Sequence, residues 1–217
     1  MAGKFHKVLL YQPWFWWHFA PDWTTVRTFW PHFAARTRDR KDDTLLGAVT
    51  DAFALAGIEF HPATDFAPGL LAPSGTIAGR SPSPAEELDI AFGWELAKQL
   101  GRLDVGQSVC VKNRAVLAVE AIEGSDLCIR RAGELCPQGG FTVVKVAKPQ
   151  QDMRFDVPTI GLGTLETMAA AGGRVLAVEA GRTILIDQPE VLQYASRHRI
   201  TLVALADGRD GNGLAAT

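Results

Sequence analysis

VKVAKPQQDMRFDVPTIG, residues 144–161, is the stretch around which the rest of the chain is read. The run Phe141 to Val146 is largely apolar, the pattern of a buried strand, and it delivers the chain into a polar cluster. Lys145, Lys148, Asp152, Arg154 and Asp156 follow in short order, with Pro149 and Pro158 as rigid punctuation. A strand that ends in a proline-pinned, charge-dense loop presents polar groups from a firm scaffold.

Downstream of this stretch, Thr164 to Ala171 reads as a helix, Arg174 to Glu179 as a strand, and Thr183 to Ile186 as another. Asp187-Gln188-Pro189-Glu190 has the form of a capping box and opens a helix to about His198. Ile200 to Ala206 closes with a strand, and 207–217 reads as a disordered tail. Upstream, Ser108 to Lys112 and Ala115 to Ile122 form a hairpin around Asn113-Arg114, and Ser125 to Leu135 reads as a helix. Ser83-Pro84-Ala85-Glu86 is a second capping box, with proline at N1, starting a helix that runs to about Leu100. Residues 62–83, rich in Pro, Gly, Ala and Ser, read as a loop or linker. Before them come a strand over Ile58 to His61, a helix over 44–56 and a basic connector over 36–41. Earlier still are a helix from Pro21 to about Ala35, an aromatic run over 14–19 and a short strand over 7–11. Buried, the aromatic run is core; exposed, it would suit an acyl chain, a partner or a membrane interface.

Helices dominate up to about residue 100, and a mixed sheet with interspersed helices follows. The expected class is therefore α/β in two lobes, an N-terminal α/β lobe with its linker over 1–83 and a C-terminal mixed-sheet lobe over 84–206. In 217 residues, 47% are hydrophobic and 21% charged, a globular composition. A formal net charge of −2 provides no basic footprint and argues against nucleic acid as a partner. Cys110, Cys128 and Cys136 form no CxxC pair and read as free buried thiols in a reducing compartment. No apolar run approaches the roughly 20 residues of a membrane span, so a soluble protein is expected.

There is no P-loop, nucleophile elbow or zinc-helix pattern, and the five histidines are scattered. What remains are carboxylates and cations. Asp104, Glu120, Glu123, Asp126, Asp152 and Asp156 recur beside turns, interleaved with Arg130, Arg131, Lys145, Lys148 and Arg154. Carboxylates suit a hard cation such as Mg²⁺, and basic side chains suit phosphate oxygens. These are the parts for metal-assisted attack of water on a phosphoryl group. Clustered charges are more often solvated surface pairs. Against that, Glu120 sits inside VLAVEAI, where an ionised group needs a partner or a metal.

GRLDVGQSV (101–109), LAVEAIEGSDLCIRRAGEL (117–135), VKVAKPQQDMRFDVPTIG and AVEAG (177–181) closely resemble the LpxI-type UDP-2,3-diacylglucosamine hydrolases. DDTLLGAVTDAFALAGIEF, LLAPSGTIAGRSPS and AFGWELAKQLG are similar more loosely. The resemblance implies a cytoplasmic enzyme of lipid A biosynthesis in a Gram-negative-type bacterium, possessing two domains, in peripheral contact with the inner membrane through its substrate. It implies cleavage of the pyrophosphate of UDP-2,3-diacylglucosamine to UMP and 2,3-diacylglucosamine 1-phosphate, with Mg²⁺ or another divalent cation such as Mn²⁺. Carried over by motif, Asp152 and Asp156 are the expected catalytic carboxylates and, with Glu123 and Asp126, the expected metal ligands. Gln107, Glu120, Arg130, Lys145, Lys148, Arg154 and Thr159 are the expected substrate contacts. Two departures are mild: Gln150 where a small residue is usual, and Ser125 where threonine is. A third concerns the start: MAGKFHK resembles an internal stretch of the family's first domain, so a shortened first lobe is expected. An inactive or binding-only homologue for a lipid-linked nucleotide sugar is the alternative that such a lobe raises.

Overall fold

The computed structural model describes residues 42–206 and, ahead of them, Asp22, Trp23, Val26 and Trp30. Trp23, Val26 and Trp30 are helical, and Val26 N–H donates to the Asp22 carbonyl at 2.9 Å. The expected strand over 7–11, the aromatic run 14–19, the rest of the helix 21–35, the connector 36–41 and the tail 207–217 lie outside the described residues.

The chain divides into two compact units, Met1–Asp65 with Asp152–Asp156, and Phe66–Gln151 with Val157–Thr217. In the first, helix α1 (Asp42–Leu55) ends in a turn at Ala56-Gly57, where Gly57 has a φ of +77°. Ile58 to His61 is not a strand. Phe60 packs instead edge-on to Phe53, with ring centres 5.3 Å apart, and against Phe155 at 5.5 Å. Helix α2 (Ala63–Phe66) is a single turn.

The stretch 62–83 is not an open linker. Beyond α2 it holds a 3-10 turn (Pro68–Leu70) and strand β1 (Gly75–Ala78), which pairs antiparallel with the last strand, β8 (Thr201–Leu205). Four residues at a sheet edge, interrupted by a bulge between Thr76 and Ala78, carry too little apolar pattern to stand out in sequence.

Helix α3 (Pro84–Arg102) begins with the expected capping box. Glu86 N–H donates to Ser83 Oγ and Ser83 N–H to the Glu86 carboxylate, which Arg80 also grips through two bonds of 2.7 Å. Ile90, Gly93, Trp94, Ala97 and Gly101 fall on one helical face and are buried. A Cβ on Gly93 would stand 2.8 Å from Val144, so this helix lies close against the sheet. The hairpin of β2 (Ser108–Lys112) and β3 (Ala115–Val119) turns at Asn113-Arg114 with φ of +52° and +57°, as a two-residue primed turn requires. Asp89, buried on α3, accepts from both turn amides at 3.0 and 2.6 Å.

Helix α4 (Ser125–Leu135) leads to strand β4 (Phe141–Lys145), then come β5 (Thr159–Ile160), helix α5 (Leu162–Ala171), β6 (Gly173–Glu179), β7 (Ile184–Leu185) and helix α6 (Gln188–His198). The main sheet runs β1-β8-β6-β4-β2-β3. Strands β4, β6 and β8 are parallel, while β2 lies antiparallel to β4 and β1 to β8. This is the expected α/β class with a mixed sheet.

Alternation assigns the core. Cys110, Val143, Leu176 and Val178 face one cluster with residues of α4, α5 and α6. Val109, Val111, Val144, Val175 and Ala177 face the other with α3. With both faces covered, β4 and β6 read as nearly unbroken apolar runs. All three cysteines are free and buried. Asp187 is no N-cap of the expected kind: it takes a left-handed conformation, φ +52°, and its side chain makes no capping bond. Its carbonyl accepts from Glu190 and Val191 N–H instead, because the turn from β7 approaches the helix in that conformation.

Gly106 shows how tightly one corner is built. A Cβ there would sit 2.1 Å from the Glu120 carbonyl oxygen, a backbone atom that cannot swing aside. Gly106→Ala is expected to cost about 1–3 kcal/mol, the range for overpacking, read as a lower urea midpoint. Wild-type stability in that variant would contradict the close approach.

Candidate active site

Parallel strands of an α/β sheet offer their carboxyl ends as the usual place for ligands. Here β4 ends at Lys145, and the antiparallel pairing of β2 brings Ser108 opposite it. Lys145 is buried, and its Nζ donates to the Thr159 carbonyl at 3.0 Å. The Thr159 hydroxyl is engaged too, with the Val157 carbonyl at 2.9 Å. What Thr159 presents to Lys145 is thus its backbone.

Glu120 follows β3 and is buried, as its place among apolar residues foretold a partner. Ser125 Oγ donates to its Oε1 at 3.0 Å, Gln107 N–H approaches its Oε2 at 3.4 Å, and Ser108 Oγ lies 3.0 Å from Ser125 Oγ. The partner is a serine pair, one member supplied by the helix start and the other by the strand opposite. Gln107 also accepts from Val146 N–H through its carbonyl at 3.0 Å, while its side-chain oxygen is buried without a hydrogen bond.

Lys148 lies just past the strand. Its amine is 2.5 Å from Asp104 Oδ1, and both side chains are more than nine-tenths buried. Asp104 itself has a φ of +55°, in the turn after α3. Lys148 N–H donates to Gln151 Oε1, and Gln151 N–H returns to the Lys148 carbonyl, both at 2.9 Å.

Asp126 and Arg130 sit elsewhere. Both are exposed on α4 and line a groove of about 360 Å³ with Gly163, Glu166, Thr167 and Ala170 of α5. Helices α4 and α5 start at Gly124 and Gly161, and neither start has a side-chain cap, so their first amides favour negative charge nearby. Glu123 is held by Arg131 at 2.8 Å and by Ala121 N–H at 3.2 Å.

Asp152, Arg154 and Asp156 belong to the first unit, in one tight turn where Phe155 and Asp156 N–H both donate to the Asp152 carbonyl at 3.2 Å. Arg154 grips the Asp152 carboxylate: Nε is 2.9 Å from Oδ1, Nη2 is 2.6 Å from Oδ2, and the backbone N–H is 3.0 Å from Oδ1. These bonds to the Arg154 guanidinium hold the Asp152 carboxyl below the usual carboxylate range. Of the expected ligands, Asp152 and Asp156 belong to the first unit and Glu123 and Asp126 to the second. Among the described residues no three His, Cys, Asp or Glu side chains form a group able to hold a metal ion. Asp152 has both carboxylate oxygens on Arg154, while Glu123 divides its oxygens between the Arg131 ion pair and Ala121 N–H.

Sequence reasoning missed Lys98, Ser108 and Glu179, all buried or partly buried beside the end of β4. Glu179 stands within AVEAG, and an acidic residue closing an apolar strand was the signal available.

The model of the LpxI C-terminal domain matches residues 73–203, and that of the LpxI N-terminal domain matches residues 1–70. A protein of Caulobacter vibrioides named UDP-2,3-diacylglucosamine pyrophosphatase LpxI is 36% identical over 161 residues, 71% of this chain. The match spans 58% of that relative's length. With the C-terminal model alone covering more than half of its residues, the chain belongs to the LpxI family.

Proposed function

We propose that the chain hydrolyses the pyrophosphate bond of UDP-2,3-diacylglucosamine, yielding UMP and 2,3-diacylglucosamine 1-phosphate, a step of lipid A biosynthesis. The observation that carries this is the 36% identity to a relative bearing that activity in its name. The side chains support it. Lys145 and Lys148 at the end of β4, with Arg130 and Arg154, offset the charge of phosphoryl oxygens and of the developing leaving group. Asp152 or Asp156 accepts the proton of the attacking water. Gln107, Glu120 and Thr159 orient the nucleotide sugar.

A divalent cation, Mg²⁺ or Mn²⁺, belongs to the proposal as a requirement to be tested. Among the described residues no three carboxylates form a group able to hold it. Among the described residues no helix is long and apolar enough to cross a membrane. Peripheral contact on the cytoplasmic face of the inner membrane is proposed, supported by Ile122 and Leu127, half exposed about the start of α4. Sedimentation with anionic vesicles checks it.

The test is UMP release from UDP-2,3-diacylglucosamine with added Mg²⁺, with and without a chelator. UMP is expected to accumulate with the cation and to stop when it is removed. Substrate binding with no UMP under any condition would make the chain a binder and end the hydrolase reading.

A further inference from the structure

Past Lys145 the chain keeps one more tie to the sheet, Val146 N–H to the Gln107 carbonyl. At Ala147 side chains take over both backbone groups. Its N–H donates to Glu179 Oε2 at 2.8 Å, and its carbonyl accepts from Lys98 Nζ at 3.0 Å. Lys98 Nζ and Glu179 Oε2 are themselves 2.6 Å apart, so one ion pair closes a ring on the backbone of a single residue. Lys98 comes from α3 and Glu179 from the carboxyl end of β6, and their side chains are 13% and 5% exposed. The Trp94 ring centre lies 5.8 Å from Lys98 Nζ, and Arg182 Nη1 stands 3.4 Å from Glu179 Oε1.

A buried ion pair is an expensive way to add stability, since apolar residues of the same shape often do as well or better. What apolar side chains cannot do is satisfy a buried N–H and C=O at once. The residue clamped in this way is the one immediately before Lys148.

We propose that Lys98 and Glu179 are positioning residues for the reaction: they set the direction in which the chain leaves β4, and thereby the place of Lys148. This rests on the pyrophosphatase reading above. Misplacing a reacting contact by about 1 Å can cost about a hundredfold in rate, which sets the scale of the effect.

The experiment is a double-mutant cycle on UMP release, using wild type, Glu179→Gln, Lys148→Ala and the double variant, each well below its unfolding temperature. Glu179→Gln keeps an acceptor for Ala147 N–H and removes the charge that holds Lys98. It is expected to lower kcat about ten- to a hundredfold, with KM little changed. In the Lys148→Ala background it is expected to add almost nothing, because the group it positions is gone. Lys98→Arg should retain more activity than Lys98→Met, and amide exchange at Ala147 should quicken in Glu179→Gln. Should Lys98→Met fail to fold, the cycle and the exchange measurement still decide the matter. Losses that multiply in the double variant, or a Glu179→Gln variant as active as wild type, overturn the inference. A wild type that releases no UMP overturns the reading beneath it, and an active wild type with independent losses overturns this inference alone.

Discussion

The Asp152→Ala variant is expected to release UMP about a hundredfold more slowly than wild type or worse, the range for losing a positioned acid–base group, with substrate affinity little changed. Asp156→Ala is expected to behave similarly. Single-turnover assays beside equilibrium binding separate the two quantities. The Arg154 guanidinium holds Asp152 in its ionised form, which leaves it free to accept a proton but makes it a weaker base than an unpaired carboxylate. Removing that partner by Arg154→Gln lets the carboxyl return toward its ordinary value, so the acid limb of the pH–rate profile should move to higher pH. Stability follows the same sign. A carboxyl with a depressed folded pKa contributes stability that is present above its unfolded value and is lost as pH falls through the folded one. Because the two side chains are 31% and 38% exposed, solvent screening keeps that contribution small, and the kinetic shift is the measurement to make. Near-normal turnover in both aspartate variants would remove this turn from the catalytic machinery.

The second large effect concerns stability. Asp104→Ala is expected to cost about 3 kcal/mol or more, the range for breaking a buried ion pair from one side. The carboxylate lost is the one 2.5 Å from the buried Lys148 amine. Asp104 also holds a left-handed conformation that aspartate and asparagine tolerate better than alanine does. Asp104→Asn therefore isolates the charge: it keeps the backbone preference and drops only the ionic partner. Urea titration of the three proteins should rank wild type above Asp104→Asn and Asp104→Asn above Asp104→Ala. Coincident midpoints would mean that the pair does not hold the end of the strand.

Most of the elements were legible because their signals are local. The capping box at Ser83 needs only Ser83, Pro84 and Glu86, and the turn at Asn113-Arg114 needs only two residues that accept positive φ. The strand Phe141–Lys145 and the helix Ser125–Leu135 announce themselves by composition and period. Where a partner decides, the reading failed. Strand β1 exists because β8 offers it an edge, and among the described residues Ile58 to His61 pairs with no strand. Asp187 has the composition of a cap, and the approach of the chain from β7 denies it the conformation.

The candidate site divides in the same way. That Glu120 needs a polar partner follows from its apolar neighbours, because an ionised group in such surroundings cannot stay unpaired. Local sequence likewise determined the α/β class, the strand that carries Lys145, and the charged turn between Pro149 and Pro158. Only the tertiary structure decided that the partner of Glu120 is Ser125, that Lys148 meets Asp104, and that Lys98 and Glu179 close on Ala147. Ser125 is only five positions from Glu120, but Lys148 and Asp104 are 44 apart and Lys98 and Glu179 are 81 apart. Electrostatic partners are chosen by distance in space, and no local pattern in the chain encodes which distant side chain the packed sheet will bring near.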